Sequence, residues 1–208
     1  MAVTPYNVIQ GPGRLFVAPY PVTGIDDYLT TDPATLPVGA PFVDVGGTTG
    51  GITVEVDETI GNITVDQILD PVGGRTTART LQVTTTFMET DVANLRLAMN
   101  GATSTTETDG SGDTPAYIGF DLNTQTSATQ PLYSTIIVDG WGATTAGGVA
   151  TTRRFIMQKV LSAPKVSQKF NMADQATVAV TFTAYYVSSS ISPFSLREST
   201  TGSTSDNS

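Results

Sequence analysis

Neither cysteine nor histidine occurs anywhere in the 208 residues. Without cysteine there is no disulfide framework and no thiol nucleophile, and without either residue there is no Cys/His metal site. The His-based triads of common hydrolases are excluded in the same way. Charge is also scarce: 14% of residues are Asp, Glu, Lys or Arg, with 19 acids against 10 bases for a net charge of −9. A nucleic-acid binder neutralises phosphates with clustered Lys and Arg, so this balance speaks against tight binding of DNA or RNA. No run approaches the ~18 apolar residues of a membrane span, and no membrane insertion by this chain is expected. Residues 1–8 show no basic segment followed by an apolar one, so an export signal is not expected either.

What is present is Thr, Ser and Gly around a 39% hydrophobic content. Thr-rich composition with few Lys and Glu favours extended strands over a helical bundle. The expected fold class is mainly β, a β-sandwich or half-barrel with one flanking α-helix. At this length one domain is expected, over residues 1–199, followed by a disordered tail at 200–208. Strands are expected at 13–18, 42–45, 52–58, 60–69, 78–89, 116–121, 132–139, 153–161 and 175–187. Two of these are long and alternate cleanly. In the first, Leu81, Val83, Thr85 and Phe87 oppose Gln82, Thr84 and Thr86. In the second, Val178, Val180, Phe182, Ala184 and Tyr186 oppose Thr177, Thr181 and Thr183. The single expected helix spans 91–99, capped by Thr90 or Asp91 and stopped by Asn100-Gly101. Residues 19–41, with five prolines, and 101–115, rich in Gly, Ser, Thr and Asp, read as loops.

Several motifs invite a chemical reading and fail it. The glycines at 46–51 lack the Gly-Lys-Ser/Thr of a phosphate loop and precede a strand, so a hairpin turn is expected there. Asp109-Gly-Ser-Gly-Asp113 lacks the carboxylate spacing and closing Glu of a calcium loop. Glu55, Asp57 and Glu58 sit along one strand, whereas a hydrolytic carboxylate pair converges across a cleft. Trp141 stands alone in a Gly-rich stretch and reads as a packing residue. No cofactor, metal or catalytic residue is expected, and the chain does not read as an enzyme.

Charge is segregated along the sequence. No basic residue occurs between Arg96 and Arg153, while Arg153, Arg154, Lys159, Lys165 and Lys169 follow closely. Opposite charges separated along one chain suit head-to-tail contacts between copies, which close into rings when the rotation allows.

The order of elements from residue 46 to 101 carries a resemblance. A glycine-rich segment leads into acidic strands, then Asp66-Gln67 and Pro71-Val72, a long Thr-rich strand, and the Leu/Ala helix at 92–99. This order resembles the major tail tube proteins of long-tailed, non-contractile bacteriophages. The resemblance implies a structural virion protein, assembled in the bacterial cytoplasm and located in the tail. It implies six-membered rings whose inner sheets join into a continuous β-barrel, stacked into a channel for genome ejection. The implied partners are further copies of this chain, tail tip, tape-measure and tail terminator proteins, and duplex DNA in transit without tight binding. Carried onto this sequence, the polar strand faces would line the bore: Glu55, Asp57, Thr64, Asp66, Gln82, Thr84, Thr181 and Thr183. Val54, Val83 and Val180 would pack behind them. Contacts between subunits would draw on Arg153, Arg154, Lys159, Lys165, Lys169, Asp26, Asp27, Asp70, Pro71 and Arg75, with the loops at 19–41 and 68–77 stacking one ring on the next. The alternative is another virion β-sandwich, such as a capsid decoration or tail-tip protein.

Overall fold

Strand β1 (Gly13–Pro19) alternates two sets of apolar side chains, and the fold has a use for both. The computed structural model describes residues 11–100, 104–108, 115–120, 122, 131–144, 149–162, 166 and 175–199. In it β1 pairs antiparallel with β7 (Ser134–Thr144), and β7 with β8 (Ala150–Ser162). The register sets Leu15, Val138 and Phe155 abreast on one face, and Phe16, Ile137 and Ile156 abreast on the other. These central strands are therefore apolar on both sides.

The full sheet runs β2 (Val43–Asp44), β1, β7, β8, β9 (Val178–Ala184), β4 (Ile68–Phe87), β3 (Thr48–Val65), with β10 (Phe194–Glu198) also on β8. All neighbours are antiparallel, and the sheet is not closed: β2 and β3 are its edges. A separate pair joins β5 (Ser104–Thr108) to β6 (Pro115–Phe120). The larger core cluster gathers Leu15, Val83, Phe87, Ile136, Met157, Val160, Val178 and Phe182, so both halves of the sheet contribute to one interior. Val54 packs against this cluster, and Val83 and Val180 are buried in it. Helix α2 (Val92–Ala98) covers it with Leu95, Leu97 and Ala98. Its cap is Asp91, whose side chain accepts from the Asn94 amide at 2.8 Å, as expected of a carboxylate at a helix start.

The second cluster lies on the opposite face and corrects one expectation. Residues 19–41 are not a free loop. They hold a short helix, α1 (Ile25–Thr30), and lay Val22 and Tyr28, with Phe42 just after them, onto Phe16, Ile137 and Ile156. Tyr28 and Phe42 meet edge to face at 5.3 Å between ring centroids. The proline spacing hid this layer, because α1 has six residues and too few turns to show a period.

Three further expectations change. The glycines at 46–51 form no hairpin turn: β2 pairs with β1, and the chain crosses to the opposite edge. Gly50 and Gly51, at φ 75° and 83°, instead make a bulge inside β3 opposite Thr85, whose hydroxyl donates to the Gly51 carbonyl. There is no break at residue 59 and no loop at 68–77 either, since 48–65 and 68–87 are two continuous strands joined at Asp66-Gln67. Part of the loop expected at 101–115 is strand β5, and β10 had no counterpart in the sequence reading. The tail at 200–208 lies outside the described residues.

Candidate functional site: a polar sheet face, an exposed arm and a cleft

Cross-strand register decides which polar side chains meet. Glu55 stands opposite Gln82, and Gln82 opposite Thr183; Thr53, Thr84 and Thr181 form the next row, and Asp57 faces Thr80. Side chains at directly opposed positions share a face. Glu55, Asp57, Gln82, Thr84, Thr181 and Thr183 therefore lie on one polar ribbon across β3, β4 and β9, behind which Val83, Val180 and Phe182 are buried. Within each row one side-chain contact ties β4 to β9: Gln82 Nε2 donates to Thr183 Oγ1 at 3.3 Å, and the hydroxyls of Thr84 and Thr181 lie 3.2 Å apart. No cation stands within ion-pair distance of Glu55 or Asp57 among the described residues. The ribbon is thus acidic at the sheet edge and hydroxyl-rich inward.

Thr64 and Asp66 do not join it. Beyond Asp57, β3 and β4 leave the body of the protein and continue as a two-stranded arm. Every residue from 62 to 80 is exposed. At ~3.3 Å per residue the nine positions from Asp57 to Val65 reach roughly 30 Å. Thr64 lies at the far end of this arm and Asp66 in its turn. The arm has two irregularities. Thr77 is an extra residue opposite Thr59, whose carbonyl it binds through its hydroxyl, and residues 69–72 bulge near the tip. Pro71 falls inside that second bulge, where no ladder hydrogen bond is required of it. Glu58 and Arg79, direct cross-strand neighbours, form an ion pair at the arm's root.

The arm is apolar where water should be expensive. Ile60, Ile63, Ile68 and Val72 are each about half exposed or more, and Leu69 is fully exposed at 101%. Asp70, Pro71 and Arg75 also lie on it, all exposed. The sequence reading missed the apolar members because a run such as Ile-Thr-Val-Asp-Gln-Ile-Leu looks like ordinary core strand. The missing signal is the absence of a second sheet to cover it.

The basic cluster is largely spent inside the chain. Arg154 is not a surface cation: it is completely buried and forms a two-pronged pair with Asp139, both bonds 2.7 Å. Its third nitrogen donates to the Leu36 carbonyl at 2.9 Å, and its guanidinium lies over the Tyr28 ring. It fastens the proline-rich layer to the sheet and is withdrawn from the intersubunit set. Arg153 is half-buried and grips Glu198 of β10 through two nitrogens, 2.6 and 3.0 Å from one carboxylate oxygen. Lys159 stands over the rings of Tyr133 and Tyr20, at 4.3 and 5.8 Å from their centroids. Lys165 and Lys169 lie outside the described residues. Asp26 and Asp27 are exposed on the first turn of α1.

Glu198 has a displaced pKa. Burial pushes it up, but the Ala143 amide, the Arg153 guanidinium and the Thr151 hydroxyl favour the charged form more strongly, so it lies below its ordinary value.

A cleft of about 580 Å³ opens between α2 and the β2 edge of the sheet. Val17, Pro19, Val43, Leu97 and Leu132 line it, with Arg96 among them. Arg96 has no carboxylate within ion-pair distance among the described residues. No group of three or more His, Cys, Asp or Glu side chains that could hold a metal occurs among the described residues, and no described helix is long and apolar enough to cross a membrane. No protein-family model matches the chain, and no curated protein is similar to it.

Proposed function

We propose that this chain is a structural subunit that polymerises with its own copies as stacked rings, six to a ring, into the tail tube of a non-contractile bacteriophage. The observation that carries the reading is the hairpin arm. A ~30 Å exposed ladder studded with Ile, Leu and Val burdens a free monomer, because long unpaired apolar edges invite aggregation. It is useful to a protein that buries it against another copy. The open edge of β3, continuous with the arm, supports the same reading, since an unpaired strand offers its backbone groups to a neighbouring sheet. Edge-to-edge joining of six such sheets would close the barrel that one sheet leaves open.

In that assembly the polar ribbon faces the bore. Duplex DNA carries one negative charge per ~1.7 Å of axis, so a basic lining would hold it at many points. An acidic, hydroxyl-rich surface repels the duplex weakly and leaves it hydrated and mobile. The tube would start on a tail-tip complex, take its length from a tape-measure protein and end at a terminator, all in the bacterial cytoplasm. The chain performs no catalysis in this role.

Negative-stain electron microscopy over a concentration series, with and without purified tail-tip complex, tests the proposal. Hollow tubes of uniform width are expected. A chain that stays monomeric at every concentration and never extends the tip complex overturns it.

A further inference from the structure

The arm and the cleft are complementary surfaces that one copy cannot bring together. The arm projects from the β3 edge and its residues from 62 to 80 are all exposed, so no described part of the chain covers its tip. The cleft lies beside β2 and takes in Val45, just before β3 begins at Thr48, so the length of the 18-residue β3, roughly 60 Å, separates it from the arm tip. The tip presents fully exposed Leu69 between two acids, Asp66 and Asp70. The cleft presents an apolar lining of Val17, Pro19, Val43, Leu97 and Leu132 with a cation, Arg96, that meets no carboxylate among the described residues. An exposed leucine flanked by carboxylates matches an apolar hollow that carries one arginine.

We infer that the cleft between α2 and the β2 edge is the receiving site for the arm tip of a second copy. Leu69 enters the hollow, and Asp70, with Asp66 behind it, meets Arg96 at its margin. The inference rests on the self-assembly part of the proposed function and names the place where the arm of one subunit ends. Donor and acceptor surfaces differ, so the contact is heterologous: each copy gives an arm and receives one, and the series stays open to growth. A single tip in a cleft of this size buries far less than the ~1,000 Å² expected of a stable pair, so one contact alone is weak and many in parallel are strong. Detection therefore needs a covalent trap.

The absence of native cysteine makes that trap clean. One tagged copy carries Leu69→Cys, and an untagged copy carries Ala93→Cys, an exposed α2 residue that also lines the cleft. A disulfide forms only when the two Cα atoms come within ~7 Å. Under mild oxidation the mixed dimer should form at least tenfold faster than between Leu69→Cys and Ser189→Cys, an exposed site away from the cleft. Adding Asp70→Lys to the arm copy should slow trapping, and adding Arg96→Glu to the cleft copy should restore it. Equal rates for the cleft and control positions overturn the inference. So does a cross-link that closes within single copies of the double variant at high dilution. Tubes in the microscope without the specific cross-link sink this inference alone, while the cross-link without tubes sinks the phage reading and leaves the docking site standing.

Discussion

Arg154 shows how one side chain can decide the state of a whole layer. Its guanidinium and Asp139 are out of water, and breaking such a pair by removing one partner leaves an uncompensated charge in the interior. Arg154→Ala should therefore cost about 3–5 kcal/mol in urea unfolding. Replacing both partners with apolar residues of similar size should recover most of that loss, because the desolvation cost disappears together with the pair. Sequence could not reveal this, since Arg153 and Arg154 are adjacent and identical in type. They part only because successive strand residues face opposite sides. Glu198 contributes a pH dependence of its own. A carboxylate whose folded pKa is depressed contributes stability above its unfolded value, near 4.5, and loses it as pH falls through the folded value. An acid titration followed by β10-sensitive proteolysis should show loosening only below about pH 4.5, and Glu198→Gln should flatten that slope.

At the scale of elements, the hairpin of β3 and β4 divides at Asp57. Inside that point Leu81, Val83 and Phe87 are buried; outside it neither strand buries a side chain. A two-stranded ladder without a covering face contributes little to stability. Deleting residues 59–78 and joining Glu58 to Arg79 through Asn-Gly, a favoured two-residue hairpin turn, should leave a folded domain. Its melting temperature should stay within about 4 °C of the parent, corresponding to roughly 1 kcal/mol. Self-association in light scattering should vanish. The alternating sets at 81–87 and 178–184 were legible in the sequence because period-2 burial writes itself into the residues, although Tyr186, expected on the same apolar face, lies beyond the end of β9 and is exposed. The arm was not, because exposed Ile and Val carry the same letters as buried ones. The bulge at Gly50-Gly51 was misread for a related reason: paired glycines mark positive φ, which a turn and a bulge both require.

At the scale of the whole molecule, charge is placed by register. Glu55 and Asp57 occupy the open edge of a face that is otherwise hydroxyl and amide, and six of the eight polar residues proposed for the bore share that face. The polar faces of β3, β4 and β9 could be anticipated from alternation, but the positions of Thr64 and Asp66 could not, since they depend on where the sheet ends and the arm begins. Under the proposed tail-tube function, Glu55→Lys with Asp57→Lys should retard genome release from assembled tails and make its rate rise with salt, because added phosphate contacts are screened by counterions. Release unchanged from intact tails would remove both residues from the lining.

The continuity of β4 has a mechanical consequence. The strand that forms half of the arm is the same strand that pairs with β9 inside the body, Gln82 to Phe87 against Thr183 to Val178. A pull on the arm tip along its axis travels down β4 and loads those hydrogen bonds side by side, in shear, so that none can break before the others share the force. A hinge between arm and body would have let them peel one at a time. Because the strand is unbroken, the subunit resists stretching along the direction in which it reaches outward.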